Sequence, residues 1–262
     1  MKIIDCNACI GHATVNRLMV NHENFFVCEQ VKQPKNASEL LEEMDYNGID
    51  EAIVCNTSML HSGVMLGNDE LLADKANYTG RLHGTIVLLP SFLNERFLPE
   101  RVFDTISQNN LFGVRVNPKA NRHWFDKISM GDIAEMLQEK QIPVYLSPDY
   151  GWEEVRSALQ EFPSLKVILT NYGPWGSDGY LYPLLKAFPN LYFDTSDLHE
   201  IIGVEALVNR FGSDRILFGS NYPCVNMGAP LTAILGARIS ARDKEKILGE
   251  NVSRLIEGRI LK

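Results

Sequence analysis

The chain has 262 residues, with 45% hydrophobic and 22% charged residues and a formal net charge of -8, the balance of an ordinary globular protein of one large or two smaller domains. This acidity, with an isoelectric point near 5.3, argues against a general nucleic-acid or anionic-membrane binder, and no apolar run approaches the ~18 residues that a membrane span needs. The five cysteines, Cys6, Cys9, Cys28, Cys55 and Cys224, form an odd set whose spacing suggests no disulfide framework. With an N-terminus that begins on a strand and carries no signal-peptide core, a reducing, cytoplasmic location is expected.

Taken in chain order, short β-branched runs alternate with amphipathic segments. A first strand is expected at residues 2–6. It is followed by an irregular insert, 12–36, that carries Leu18, Met19, Val20, Phe25 and Phe26 and is expected to be a lid, rim or oligomer contact. Ser38 is expected to start the next helix and Asn47-Gly48 to stop it. A strand at 51–56 follows, then a helix starting at Asn68 ahead of Asp69-Glu70-Leu71-Leu72, and strands at 84–89 and 112–116. Ser129 to Asp132 has the form of a capping box. The remaining strands are expected at 142–146, 166–170, 191–195 and 215–219, with Pro163 and Pro189 closing the helices before the sixth and seventh.

These strands are apolar throughout rather than alternating, as when both faces are covered. Strict strand–helix alternation means a parallel sheet, and about eight strands close into a (β/α)8 barrel. An open doubly wound sheet is the competitor, disfavoured because no Gly-rich dinucleotide fingerprint follows the first strand. Residues 1–262 are read as a single domain.

In such a barrel, chemistry sits at the C-terminal strand ends. Those positions are Asn7 and Cys9, Asn56, Pro90-Ser91, Arg115 and Asn117, Ser147 and Asp149, Asn171, Asp194 and Ser196, and Asn221. They are polar but contain no histidine; the six histidines are scattered, and His83 lies at the opposite end of its strand. A zinc-type site needs about three converging His, Cys, Asp or Glu ligands, so the residues themselves point to no metal and no cofactor.

Several stretches resemble the amidohydrolase-related metal hydrolases of the TIM-barrel type. Ile3-Ile4-Asp5-Cys6-Asn7-Ala8-Cys9-Ile10-Gly11 is similar to that family's Ile-Asp-x-His-x-His-x-Gly opening, with Asn7 and Cys9 at the histidines. Pro143-Val144-Tyr145-Leu146-Ser147 resembles the fifth-strand motif with Ser147 at the His, and Val167 to Gly173 the sixth with Asn171 at the His. Ile216-Leu217-Phe218-Gly219-Ser220-Asn221-Tyr222-Pro223 resembles the eighth-strand Gly-Ser-Asp-x-Pro with Asn221 at the Asp. The tail Lys246 to Leu255 is close to the family's Ile-Leu-Gly-x-Asn-Ala-x-Arg-Leu. The resemblance implies a metal-dependent hydrolase whose five ligand positions are all replaced here. An amide such as Asn221 takes no proton near neutral pH and cannot act as the general base.

Each candidate has two readings. Asn7, Ser147, Asn171 and Asn221 form either a neutral binding pocket or the residue of drift after metal loss. Cys9 is the one nucleophile candidate, with His12 or Arg115 to activate it, against a buried inert thiol. Arg115, in an apolar strand, either captures a substrate carboxylate or phosphate or pairs with one of the barrel acids such as Asp149 or Asp194. Trp124, Trp152 and Trp175, with Tyr150 and Tyr172, fall in three successive loops and suit either a wall for a planar ligand or a homo-oligomer contact. The expected function is hydrolysis of a small carboxylate or lactone without the family's metal. The alternative is a non-catalytic barrel that binds a small molecule or a protein partner.

Overall fold

The computed structural model describes residues 1–12, 32–61, 63–74, 77–78, 80–148, 151–172, 178–198 and 203–262. Among them, parallel strands stand in chain order: β1 (Ile4–Ile10), β2 (Glu51–Asn56), β3 (Leu82–Val87), β4 (Gly113–Val116), β5 (Val144–Leu146), β6 (Val167–Leu169), β7 (Leu191–Asp194) and β8 (Ile216–Leu217). The ring is completed between β8 and β1, where Cys6 N donates to Phe218 O and Cys9 N to Tyr222 O, both at 2.8 Å, and Ala8 bridges Tyr222 in parallel. This is the expected (β/α)8 barrel. Strand positions follow the sequence closely, because a buried parallel strand is an apolar β-branched run with no other good home.

The helices are α1 (Ala37–Asn47), α2 (Thr57–His61), α3 (Val64–Asp74), α4 (Pro99–Asn109), α5 (Lys127–Glu139), α6 (Trp152–Glu161), α7 (Asp178–Ala187), α8 (Gly203–Phe211), α9 (Gly228–Gly236), α10 (Ala241–Glu245) and α11 (Asn251–Glu257). One apolar cluster lies between the strands and these helices. A second fills the barrel interior with Ile4, Cys6, Ile53, Phe112, Tyr145, Ile168 and Leu217, and is joined by Val252 and Leu255 of α11. Tyr145 spans that interior, its hydroxyl donating to Cys6 O at 2.6 Å.

Three helix starts differ from the sequence reading. The cap of α1 is Asn36, which accepts from Glu39 N at 3.0 Å, not Ser38. The cap of α5 is Asp126, which accepts from Ser129 N at 2.8 Å; Met130, inside the expected capping box, is non-helical. Asn68 lies within α3 and is buried, where its amide pairs both ways with the backbone of Val87 on β3. The stop at Gly48 is as expected, in the left-handed region at φ 70°.

The family-like tail has a structural explanation in this chain. A side chain on Gly249 would put its Cβ 2.2 Å from Lys2 O, so only hydrogen lets this turn lie against the start of β1. Asn251 is fully buried, and its Nδ2 donates to Ser213 O at 2.7 Å and Ile216 O at 2.8 Å, while its Oδ1 accepts from Arg254 at 2.7 Å. The motif closes the barrel at the N-terminal ends of β1 and β8.

Candidate functional site

The site begins with an irregularity in β1. Ile4 and Asp5 pair with Glu51 and Ala52, whereas Ala8, Cys9 and Ile10 pair with Val54, Cys55 and Asn56, so β1 carries one extra residue between them. A bulge of this kind changes which side chains point inward. Ile4 and Cys6 fill the interior, and within the bulge Asn7 reaches across the barrel to two other strands. Its Nδ2 donates to Asp194 Oδ2 at 2.9 Å, and its Oδ1 accepts from Arg115 Nη2 at 3.2 Å.

Asn7 therefore bridges a buried cation and a buried anion. Arg115 also donates from Nε to Thr85 Oγ1 at 3.0 Å, and its guanidinium lies 4.2 Å over the Tyr145 ring, a cation–π contact worth ~2 kcal/mol in a desolvated site. Burial opposes its charge, but Cys55, Tyr145, Cys9 and Asp194 together outweigh that and raise its pKa. Among the described residues no carboxylate lies within ion-pair distance of it. Asp194 is fully enclosed and accepts from Ser196 Oγ at 2.6 Å and Ser196 N at 3.2 Å. Burial nevertheless pushes its carboxyl up to about 7.

The Gly219-Ser220-Asn221 turn is stitched to the same place. A Cβ on Gly219 would come 3.0 Å from the Asp194 side chain. Ser220 donates to Asp5 from its backbone at 2.9 Å and from its hydroxyl. Asp5, also bonded by Asn7 N at 2.9 Å, is raised from its ordinary value by burial in spite of these bonds. Asn221 N donates to Asn7 O at 2.8 Å. Asn171 and Asn221 both hold positive φ, 52° and 56°, where Asn is the side chain the backbone tolerates best after glycine. Backbone conformation alone thus favours an amide at both positions. Their side chains approach at 3.5 Å, a weak contact. Ser147 follows β5 directly and is half-buried.

Cys9 faces another thiol rather than a base. Its Sγ lies 3.1 Å from Cys55 Sγ, and His12 is exposed. The contact with Cys55 and burial hold the Cys9 thiol well above its usual range, whereas the contact with Cys9, with help from Arg115, lowers Cys55 to about 7 against the opposing effect of its burial. Of the two activators expected for Cys9, His12 is exposed, whereas Arg115 favours the charged thiol, though less than Cys55 and burial oppose it. Trp124 is exposed, and Trp152 stacks on Tyr180 with ring centres 5.4 Å apart and planes at 8°. Trp175, Asp149, Tyr150, Cys28 and the insert's apolar residues lie outside the described residues. The returning end of the insert reaches the mouth: Gly11 N donates to Pro34 O at 2.9 Å, and the Tyr222 hydroxyl donates to Lys32 O.

The sequence reading leaves Asp5, Cys55, Thr85 and Tyr145 out of the site. Asp5 and Cys55 sit in apolar runs that look like core, and only the bulge in β1 brings Cys55 opposite Cys9. Asp194 was legible as a strand-end acid, but its link to Arg115 runs through Asn7 rather than by direct contact.

The amidohydrolase family model matches residues 56–257. The chain belongs to the amidohydrolase family. The match begins after β1 and so excludes Asn7 and Cys9. No curated protein matches the chain in sequence. Among solved structures, it is similar to the TIM-barrel protein Bb4693 from Bordetella bronchiseptica (20% identity, 98% of this chain and 99% of that one, TM-score 0.74). It is also similar to a 2,6-dihydroxybenzoate decarboxylase from Rhizobium (14% identity, 98% of each chain, TM-score 0.74). A third is a candidate 2-pyrone-4,6-dicarboxylic acid hydrolase from Pseudomonas putida (17% identity, 98% of each chain, TM-score 0.69). At these identities the likeness is one of fold.

The residues at the positions where the resemblance places metal ligands do not fit a zinc-type ion. Three are amides and one is a hydroxyl, all weak donors, and the thiol of Cys9 is engaged with Cys55. Among the described residues no three His, Cys, Asp or Glu side chains converge. The Arg115 guanidinium bonded to Asn7 adds a fixed positive charge that disfavours a metal cation beside it.

Proposed function

We propose that the mouth of this barrel binds a small carboxylate compound, and that the chain hydrolyses a lactone or similar activated bond in it without the family's metal centre. The observation that carries this reading is the environment of Arg115. It is a buried guanidinium answered, among the described residues, by an amide, a hydroxyl and an aromatic face rather than by a directly paired carboxylate. Such a cation keeps the capacity to attract an incoming anion, and its planar fork matches a carboxylate. Asn7, Ser147, Asn171 and Asn221 supply neutral hydrogen-bonding groups for the remainder of the ligand; Trp152 and, outside the described residues, Trp175 are the aromatic candidates for its ring. The names of two fold neighbours support this choice, since a dihydroxybenzoate and a pyrone dicarboxylate are both planar rings that carry carboxylates.

A second reading, binding without turnover, is favoured by a specific observation. Cys9 faces a thiol instead of a base, and Asp194 is fully enclosed. The test is to treat the purified protein with a chelator and to follow acid release from a panel of carboxylated lactones and aryl esters, with calorimetric binding alongside. Turnover that survives the chelator supports hydrolysis. Binding without turnover supports the second reading, and absence of both sinks the carboxylate site. A cytoplasmic location and a homo-oligomer formed through the tryptophan loops belong to the same proposal, and sedimentation of the purified chain tests the latter.

A further inference from the structure

The two cysteines at the mouth stand in register on adjacent parallel strands, Cys9 of β1 opposite Cys55 of β2. They do so because of the extra residue in β1; without it, Cys9 would stand opposite Asn56. Directly opposed residues point to the same side of the sheet, and neighbouring strands, about 4.8 Å apart, set their Cα atoms within the range a disulfide spans. The two sulfurs already lie 3.1 Å apart, inside ordinary sulfur–sulfur contact, and need to close by only about 1 Å to reach bonding distance. Both are shielded: Cys9 is 7% exposed and Cys55 not at all.

We infer that Cys9 and Cys55 are a modification site, a thiol pair that a small peroxide oxidises reversibly to a disulfide tying β1 to β2 under the barrel mouth. The inference is independent of the proposed carboxylate chemistry. A thiolate of the pair attacks one oxygen of hydrogen peroxide and the O–O bond breaks. One oxygen stays on sulfur as a sulfenic acid, and the other leaves as water after taking a proton. The second sulfur then attacks the sulfenic sulfur, the S–O bond breaks, and a second water leaves. Two thiols and one peroxide give one disulfide and two waters, with two electrons passing from the sulfurs to the peroxide oxygens. Contact between the sulfurs makes the second step intramolecular and protects the sulfenic acid from further oxidation. The nearby Arg115 guanidinium stabilises the thiolate that starts the sequence. Closure of the bond also removes that thiolate from beside Arg115, which couples the oxidation state of the pair to the charge at the mouth.

The experiment uses the full native chain, reduced and then freed of reductant. It is exposed to stoichiometric hydrogen peroxide, blocked with a thiol alkylating reagent and mapped by tryptic mass spectrometry, with fragmentation to separate Cys9 from Cys6 on their shared peptide. The expected result is loss of two hydrogens from the intact mass and a Cys9–Cys55 link that outweighs every other cross-link. The link should reverse with dithiothreitol, vanish in Cys9→Ser and in Cys55→Ser, and persist in Cys224→Ser. Peroxide that adds oxygen to Cys9 or Cys55 without linking them overturns the inference, as does a dominant link to Cys6 or Cys224. If both thiols stay alkylatable while exposed methionines oxidise, it is overturned as well. Because the wild-type map is decisive alone, a serine variant that folds poorly leaves the test intact.

Discussion

The two ends of this barrel have been treated differently. At the N-terminal end, the family's tail motif keeps its residues because the backbone around them requires it. Gly249 lies against Lys2 O, and Asn251 ties down Ser213 and Ile216. At the mouth, the frame of the eighth-strand motif is also kept, with Gly219 making room for Asp194 and Ser220 bonded to Asp5. What changed there are the side chains that would have met a metal. Their places are taken by Asn7, which spans Arg115 and Asp194, by two asparagines in left-handed backbone, by Ser147 and by a thiol facing a thiol. In this chain, the motif residues that hold the frame are therefore distinct from those that face the mouth.

The comparison breaks most easily at the base. Gly249→Ala should destabilise the fold by about 3 kcal/mol or more, since the obstructing atom is backbone and cannot step aside. Urea denaturation reads this, and a variant as stable as the parent would show the base to be as permissive as the mouth. Asn251→Ala removes the side-chain donor from two buried carbonyls, of which Ser213 O keeps a bond from Ile216 N, and should cost about 2 kcal/mol by the same measurement.

The mouth offers a pH test. Asp194 has a folded pKa of about 7, against an ordinary carboxyl value of 3.8. Between those values the folded chain holds a proton that the unfolded chain has released. Stability from this group is therefore greatest at the acid end of the window, falls as pH rises towards 7, and is level above. Asp194→Asn should remove that part of the slope, whatever its constant offset; an unchanged slope in chemical denaturation across the window would refute the raised carboxyl. Smaller again is Asn7→Ala, expected to cost about 1–2 kcal/mol because Arg115 and Asp194 each lose one of several partners. Least of all, Asn171→Gly and Asn221→Gly should stay within about 1 kcal/mol of the parent, since glycine accepts positive φ freely. A large loss in either would mean that the amide side chain, and not the backbone, is what the position requires.

Much of the frame was legible because its signals are local. Apolar strand runs, the Asn47-Gly48 stop and the strand-eight and tail motifs can be read from neighbouring residues alone. The helix starts at Asn36 and Asp126 were misread because several capping residues stand close together and tertiary packing chooses among them. Asn68 resembles a cap in sequence, yet its amide pairs with the Val87 backbone. The site was the least legible part. A one-residue bulge in β1 leaves no local sign, but it decides that Asn7 meets Arg115 and that Cys9 meets Cys55. Nor does the sequence show that Asn171 and Asn221 sit at positive φ, which gives each amide a backbone reason alongside any role in binding.

The central claim is that Arg115, without a metal, holds a carboxylate at the mouth. Isothermal titration of the chelator-treated protein with a small aromatic dicarboxylate such as phthalate tests it directly, with Arg115→Gln and Arg115→Lys alongside. Binding that persists after chelation and weakens at least about tenfold in Arg115→Gln, less in Arg115→Lys, is the predicted result. Binding that appears only when zinc or manganese is added back, or that Arg115→Gln leaves unchanged, would contradict it.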